Sequence, residues 1–197
     1  IQDEAGEDIL KLSGAGDGDI NEPILESYKS RVRWLIANLI TALVASSIIR
    51  VFEGTIAQMV ALATLMPIVA GVGGNAGTQT MAVAVRAIAT NQLTQSNTVR
   101  TILREIRVAF LNGATVAVVI GVGVALVFGN SQLGMVIAAA MMTNIVFAGF
   151  AGVMVPVILD RLDVDPAVSS SVFVTMITDS MGFFAFLGLA TLAGLTG

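Results

Sequence analysis

The sequence predicts an all-α membrane protein with five transmembrane helices. Of its 197 residues, 55% are hydrophobic and 12% are charged, and the mean hydropathy is strongly positive. This composition is typical of chains that reside in a lipid bilayer. Apolar runs of about 18 residues or more indicate spanning helices. Five such runs occur, near residues 34–52, 55–89, 106–128, 133–159 and 168–196.

The first 30 residues differ from the rest of the chain. Residues 1–26 contain eight acidic residues and a single basic one, Lys11. We interpret residues 1–30 as a cytosolic acidic segment and residues 31–197 as the membrane domain. Because the sequence begins with Ile and lacks a secretory signal, we expect it to be an excised part of a longer chain. Pro23 predicts a helix start, with the helix running towards Trp34 at the membrane surface.

The second apolar run is too long for one straight crossing at about 1.5 Å per residue. It contains the stretch "GVGGNAGTQT" at residues 71–80, in which glycines and polar residues interrupt an apolar sequence. We expect the helix to break there, assisted by Pro67, which lacks a backbone donor one turn earlier. A break at membrane depth is tolerated where protein or a water-filled cavity satisfies the freed backbone groups.

Such a break predicts a polar passage. The freed carbonyl groups of Gly71 and Gly74 would be hard oxygen ligands, and Asn75 and Gln79 would line the same passage. The alternative is that the glycines form a small-xxx-small pair, which packs two membrane helices closely. Helix packing does not require the neighbouring amide and hydroxyl side chains.

The connections between the predicted spans are short and polar. Residues 89–104, "ATNQLTQSNTVRTILR", form a loop whose turn lies at 91–97, and Thr98 is expected to start the next helix. Residues 160–166, "DRLDVDP", form a second loop of this kind.

The positions of the basic residues predict the orientation in the membrane, because cytoplasmic loops are enriched in lysine and arginine. The two connections expected on the opposite side of the membrane contain only one basic residue, Arg50. We therefore predict a multi-pass protein of the inner (plasma) membrane with its amino end in the cytoplasm and its carboxyl end outside. The residues that define the cytoplasmic side are Lys29, Arg31, Arg33, Arg86, Arg100, Arg104, Arg107 and Arg161.

Asp179 is the one charged residue with apolar span on both sides. A carboxylate at mid-membrane costs about 2.5–3.5 kcal/mol on insertion scales, so it normally faces a polar interior or cavity. Ser171 and Thr175 precede it at intervals of four residues, which places all three on one helical face near Gly182. This line of hydroxyl groups and a carboxylate indicates the lining of a conduit. The alternative is a protonated Asp179 hydrogen-bonded to a neighbouring helix.

The composition also excludes several kinds of chemistry. The chain has neither cysteine nor histidine, so it offers no disulfide, no thiolate metal site and no imidazole ligand. The sequence shows no catalytic nucleophile with a general base beside it, no phosphate-binding loop and no cluster of hydrolytic metal ligands. We therefore expect neither an enzyme nor a nucleic-acid partner.

Two segments carry a family resemblance. "MPIVAGVGGNAGTQTMAVAVRAIA" (66–89) and "DVDPAVSSSVFVTMITDSMGFF" (163–184) resemble the transmembrane domain of the MgtE magnesium channels, and the likeness extends over nearly the whole chain. The resemblance implies a homodimer with five helices per subunit and one pore at the twofold axis. It also implies a cytosolic N-terminal domain and paired CBS domains that sense magnesium. Residues 1–15 resemble the tail of the second CBS domain, and residues 20–29 resemble part of the connecting helix.

The resemblance also assigns roles to particular residues. It implies that Asp179 is the ion-selecting aspartate, with Thr175, Gly71 and Gly74 near the same ion. The chain departs from the pattern of many family members where Val172 replaces a proline and where Gly149 replaces an asparagine. Ser171 stands just before Val172, where those members have a small or amide side chain, and Asn144 lies five residues before Gly149.

We therefore interpret the chain as a channel domain that conducts hydrated Mg²⁺. Mg²⁺ sheds water reluctantly and is usually held by one or two carboxylates, and a twofold axis would supply two copies of Asp179. Mn²⁺, Co²⁺, Ni²⁺ or Ca²⁺ are possible substitutes, and membrane lipid is the surrounding partner. Two alternatives are a carrier coupled to protons or sodium and a membrane anchor that transports nothing.

Overall fold

The computed structural model describes residues 23–94 and 96–195, except for the side chains of residues 168 and 169. These residues form α1 (Ile24–Val51), α2 (Glu53–Gln58), α3 (Val60–Ala89), α4 (Thr98–Phe128), α5 (Ser131–Arg161) and α6 (Pro166–Leu192). Five of the helices are long and apolar enough to cross a membrane, which confirms the predicted class and number of spans. Residues 1–22, which make up most of the acidic segment, and residues 196–197 lie outside the described part of the chain.

Helix α5 lies at the centre of the bundle. It packs against α3, α4 and α6, and its side chains Ile137, Ala140 and Met141 are fully buried. Helix α1 packs mainly on α6 and has a single buried residue, Ala45. Most of its apolar surface therefore faces outward, as expected of a helix that borders lipid or another subunit.

Small residues bring α4 and α5 close together. The buried face of α4 repeats every four residues, which keeps the repeat on one side of the helix. A Cβ atom added at Gly134 would lie 2.5 Å from the Gly121 carbonyl oxygen, so the two backbones are in contact. Such contacts hold membrane helices together where lipid removes the hydrophobic driving force between them. The α4 repeat comprises Glu105, Ala109, Gly113, Ala117 and Gly121.

Helix α3 runs without interruption through residues 71–80, so the predicted break there is wrong. A continuous helix satisfies its backbone groups internally, as a bilayer requires. The glycines provide room for neighbours instead, because a Cβ atom at Gly77 would lie 2.7 Å from Val174 Cγ1 on α6. The chain is interrupted earlier, at Met59, whose extended backbone (φ −137°, ψ 91°) separates α2 from α3.

The helix ends are defined by local capping. Helix α1 begins directly after Pro23 and continues past Trp34, so the predicted domain boundary at residue 30 lies within one helix. Helix α4 begins at Thr98, as predicted. The Asp165 side chain accepts a hydrogen bond from the Ala167 N–H at 2.9 Å and caps α6. The Asn130 side chain caps α5 in the same way, through the Leu133 N–H at 3.0 Å.

Two glycines of α4 test the close packing of α4 and α5. A Cβ atom at Gly121 would lie 2.9 Å from Ala138 Cβ and 3.0 Å from the Gly134 oxygen, whereas one at Gly123 would meet nothing within 4 Å. We expect Gly121→Ala to destabilise the fold by about 1–3 kcal/mol through overpacking. The matched Gly123→Ala should be neutral or slightly stabilising, because alanine is the better helix former. Thermal unfolding in detergent checks this, and equal melting temperatures for the two variants would contradict it.

Candidate functional site

Asp179 lies on a partly exposed face of α6. Ser171 and Asp179 are partly exposed on this face, and Thr175, between them, is exposed. Within the described residues, no group donates a hydrogen bond to the Asp179 carboxylate and no cation pairs with it. The hydrogen bond to a neighbouring helix that would stabilise a protonated Asp179 is therefore not found in this part of the chain.

The glycine face of α3 packs against the turn of α6 that precedes Asp179. A Cβ atom at Gly77 would lie 3.2 Å from Thr178 Cγ2, and one at Gly74 would lie 4.0 Å from Thr178 Oγ1. Thr178 itself is fully buried. The structure thus places Gly74 next to Thr178, the residue that precedes Asp179.

Helix α3 has its own exposed polar stripe beside this contact. Gly71, Asn75 and Thr78 are exposed, and their spacing of four and three residues places them on one face. Because α3 is unbroken, their carbonyl groups remain in helical hydrogen bonds and are not freed as predicted. The Gly74 carbonyl also accepts the Thr78 hydroxyl at 2.9 Å. The oxygen atoms of this face that are free of helical hydrogen bonds are therefore those of side chains, although a helical carbonyl oxygen such as that of Gly71 can accept a second hydrogen bond.

Two predicted lining residues lie elsewhere. A Cβ atom at Gly182 would lie 2.6 Å from Asn144 Nδ2, so Gly182 faces the interior of the bundle. Gln79 lines a cavity between α3, α4 and α5. Gly182 therefore lies behind the face that carries Asp179, whereas Gln79 is exposed and borders this separate cavity.

The buried amide of Asn144 holds α3, α5 and α6 together behind this face. Its Nδ2 donates to the Val69 carbonyl oxygen at 2.9 Å. Gly73 and Gly182 provide the space for it, because a Cβ atom at either position would overlap the amide. Its Oδ1 has no hydrogen-bond partner among the described residues. The amide therefore sets how closely α3 and α6 approach beside Asp179.

The sequence interpretation missed two buried polar residues. Asn144 was noted only as a departure from a family pattern, although a lone amide inside a long apolar helix is itself a signal of a specific partner. Glu105 was given no role, because it falls between the predicted loop (89–104) and the predicted span (106–128), yet it is only 6% exposed. The signal for Glu105 was its position four residues before Ala109 and eight before Gly113, in register with the small residues of α4.

The described residues contain no group of three or more His, Asp or Glu side chains that could hold a metal ion. Asp179 is therefore a single carboxylate on the exposed face of one chain. A cation at this position would take its other ligands from water or from a second copy of the chain. Hydroxyl, amide and carboxylate oxygens of this kind suit hard cations such as Mg²⁺ and Ca²⁺.

Comparison with known proteins gives consistent matches. The MgtE family model, described as a divalent cation transporter, matches residues 66–189. The chain is 36% identical over 191 residues to the magnesium transporter MgtE of Bacillus subtilis (strain 168), covering 95% of this chain and 42% of that protein. It is 34% identical to the proteins of the same name from Enterococcus faecalis and Thermus thermophilus. The match covers 98% of this chain in both cases, with 42% of the former protein and 43% of the latter. The chain thus spans about two fifths of the length of these relatives.

The Asn144 arrangement gives a test based on two glycines of α3. Gly73→Ala should destabilise the protein by about 1–3 kcal/mol, because its methyl group would overlap the Asn144 amide. Gly71→Ala, two residues away, should leave the unfolding temperature unchanged, since nothing lies within 4 Å of its added Cβ atom.

Combining Gly73→Ala with Asn144→Ala should cost less than the sum of the single changes, because the smaller side chain makes room for the methyl group. We expect a coupling of about 0.5–3 kcal/mol, which is usual for residues in contact. The measurement is a double-mutant cycle of unfolding in detergent. Additive effects would show that the two residues do not compete for this space.

Proposed function

Because the chain belongs to the MgtE family of divalent cation transporters, we propose that it conducts hydrated Mg²⁺ through a pore between two copies of the chain. Asp179 is the ion-selecting carboxylate in this proposal. The observation that carries it is that Asp179 lies on a partly exposed polar face and has no partner among the described residues. A carboxylate facing lipid is costly, so this face needs water, a cation or a second polar surface opposite it.

A twofold axis next to this face would explain both the unbalanced charge of Asp179 and the exposure of the polar face that carries it. Each chain supplies one carboxylate, so two chains supply two negative charges for one divalent cation. The polar stripes of α3 and α6 would then line water instead of lipid. A closed dimer of this kind is the commonest symmetry among homo-oligomers.

The mode of binding follows from the ligands that are available. Mg²⁺ keeps several of its waters and demands octahedral geometry. The ion would therefore retain its waters, which bridge to Asp179, Thr175 and the Gly71 carbonyl. Gly74 leaves space for this shell, and Asn75 and Ser171 extend the polar lining. Contact through water is weak enough for the ion to leave, as conduction requires. Mn²⁺, Co²⁺, Ni²⁺ and Ca²⁺ would compete for the same ligands.

We further propose an inner (plasma) membrane location with the amino end in the cytoplasm. The helix ends that carry Arg86, Arg100 and Arg161 would then share the cytoplasmic side, in agreement with the enrichment of basic residues there. The relatives are more than twice as long as the matched region, which leaves room in the whole protein for the cytosolic N-terminal and CBS domains implied by the resemblance.

The proposal is tested by removing the Asp179 charge. Asp179→Asn keeps the size of the side chain but deletes the carboxylate. We expect Mg²⁺ flux into liposomes to fall to background while light scattering still reports a dimer. The matched control is Asp163→Asn in the exposed loop before α6. Asp163 has a left-handed backbone, with φ of 55°, which asparagine tolerates, so its flux should be unchanged.

Wild-type flux in Asp179→Asn would refute the pore assignment, and a monomer in the unchanged protein would refute the axial pore. Flux that stops when proton and sodium gradients are abolished would identify a coupled carrier instead. A complete lack of ion flux in the unchanged protein would favour a membrane anchor.

Cysteine substitution can locate the conduit, because the chain contains no cysteine of its own. A membrane-impermeant cationic thiol reagent should react with Thr175→Cys and block Mg²⁺ flux, since this position would line the water-filled pore. Val119→Cys is the control, because Val119 is 69% exposed on the far helix α4 and would face lipid. The reagent should therefore neither modify this cysteine nor change the flux.

The same reagent reports orientation. A cysteine at Ser96 should react only from the cytoplasmic side, and one at Asn130 only from outside. The reverse pattern of labelling would overturn the orientation. Equal block of Mg²⁺ flux in Thr175→Cys and Val119→Cys would show that Thr175 does not line the pore.

A further inference from the structure

A second polar cavity lies between α3, α4 and α5, apart from the exposed face that carries Asp179. Its volume is about 240 Å³. The polar side chains around it come from two helices, with Gln79 and Thr80 on α3 and Arg104, Glu105 and Asn112 on α4. The pore proposal assigns no role to this cavity or to its carboxylate.

Glu105 is held in this cavity by the packing of α4 on α5. A Cβ atom at Gly149 would lie 2.6 Å from Ala109 Cβ and 3.4 Å from the Glu105 carbonyl oxygen. The absence of a side chain at position 149 therefore lets the α4 backbone approach α5. This approach buries the Glu105 side chain, which is only 7% exposed.

The charges at the cavity are arranged with the negative group inside and the positive group outside. The carboxylate of Glu105 forms an ion pair with Arg104, whose side chain is 68% exposed. These residues are sequence neighbours, and side chains at such spacing do not face each other on a helix. The guanidinium group therefore reaches over from the rim. A buried carboxylate needs a positive partner, but an exposed and flexible arginine can leave if another cation takes its place.

The remaining polar groups of the cavity are free to bind water. The side chains of Gln79, Thr80 and Asn112 form no hydrogen bond with other described residues. At about 30 Å³ per water molecule, the six waters of a hydrated Mg²⁺ take up roughly 180 Å³, which fits within the cavity. The amide and hydroxyl oxygens would accept hydrogen bonds from those waters, and Glu105 would supply the charge.

We infer that this cavity is a second divalent-cation site, in which a hydrated cation displaces the Arg104 guanidinium group from Glu105. Arg104 acts as a tethered competitor that neutralises the carboxylate when the site holds no ion. An anionic ligand, such as the phosphate of a lipid headgroup, fits less well because the deepest charged group is the carboxylate. The site does not depend on the pore, and it would bind ions even if Asp179 did not select them.

The test measures Mn²⁺ binding to the purified protein in detergent by the loss of the free-ion electron paramagnetic resonance signal. Mn²⁺ has the charge and oxygen preference of Mg²⁺. The background variant is Asp179→Asn, which removes the proposed pore site. We expect it to retain about one Mn²⁺ per chain, and adding Glu105→Gln should weaken this binding about tenfold or more.

Two further variants sharpen the result. Arg104→Gln in the same background should tighten Mn²⁺ binding several-fold, because the competing charge is gone, and it remains informative if Glu105→Gln fails to fold. Asp160→Asn removes an exposed acidic side chain at the end of α5 and should leave Mn²⁺ binding unchanged. It is the control for a general loss of negative charge.

Three results would overturn the inference. They are loss of all Mn²⁺ binding in Asp179→Asn alone, no effect of a folded Glu105→Gln, and unchanged or weaker binding in Arg104→Gln. Titration with phosphatidylglycerol micelles distinguishes the anionic ligand. If Arg104→Gln lowers the affinity for that lipid and Glu105→Gln raises it, the cavity is a headgroup site and not a cation site. Because Mg²⁺ flux through Asp179 is measured separately, failure of this site would leave the proposed pore untouched.

Discussion

The fold depends on the close approach of three helices to α5, which small residues and one amide make possible. Between membrane helices the hydrophobic effect gives little attraction, so van der Waals contact and a few hydrogen bonds must hold the bundle together. Gly121 and Gly134 bring the backbones of α4 and α5 into contact, while Gly73 and Gly182 make room for the Asn144 amide. This tight packing fixes α3 beside α6, and the position of the candidate site follows from it.

The glycines of α3 serve this packing through their size. Within one helix, Gly73 and Gly77 face the interior, whereas Gly71 has no neighbour within 4 Å and lies on the exposed polar face. The same residue type thus has two uses, set by the side of the helix on which it falls. The backbone stays hydrogen-bonded throughout, as lipid requires, and the polar face is built from side chains on an intact helix.

The sequence was sufficient to predict the number of spans, the short connection before α6 and the start of α4, because hydropathy and helix-capping residues act locally. It did not predict α2, which begins within the expected connection at residues 50–55. It was also sufficient to identify Asp179 as the unusual charge. It led to a false break at residues 71–80, because a run of glycines signals both helix flexibility and close helix contact, and only the neighbours decide between them. Gly182 was grouped with Asp179 by its spacing along the helix, and Gln79 was placed in the polar passage because it belongs to the stretch 71–80. Their actual surroundings depend on the rotation of α3 and α6 about their axes, which packing against α5 sets and sequence periodicity does not.

The carboxylates of Glu105 and Asp179 differ in how their charges are balanced, and this difference gives them different properties. Glu105 is deeply buried, and its charge is balanced within the chain by Arg104 at the cavity rim. Asp179 is only partly buried and has no partner among the described residues, so none of them balances its charge. At a site with an internal counter-charge, a cation binds only by displacing that counter-charge. This competition lowers the apparent affinity of the site for the cation and keeps the empty site neutral. A site without one attracts cations directly, which suits a position through which ions are to pass.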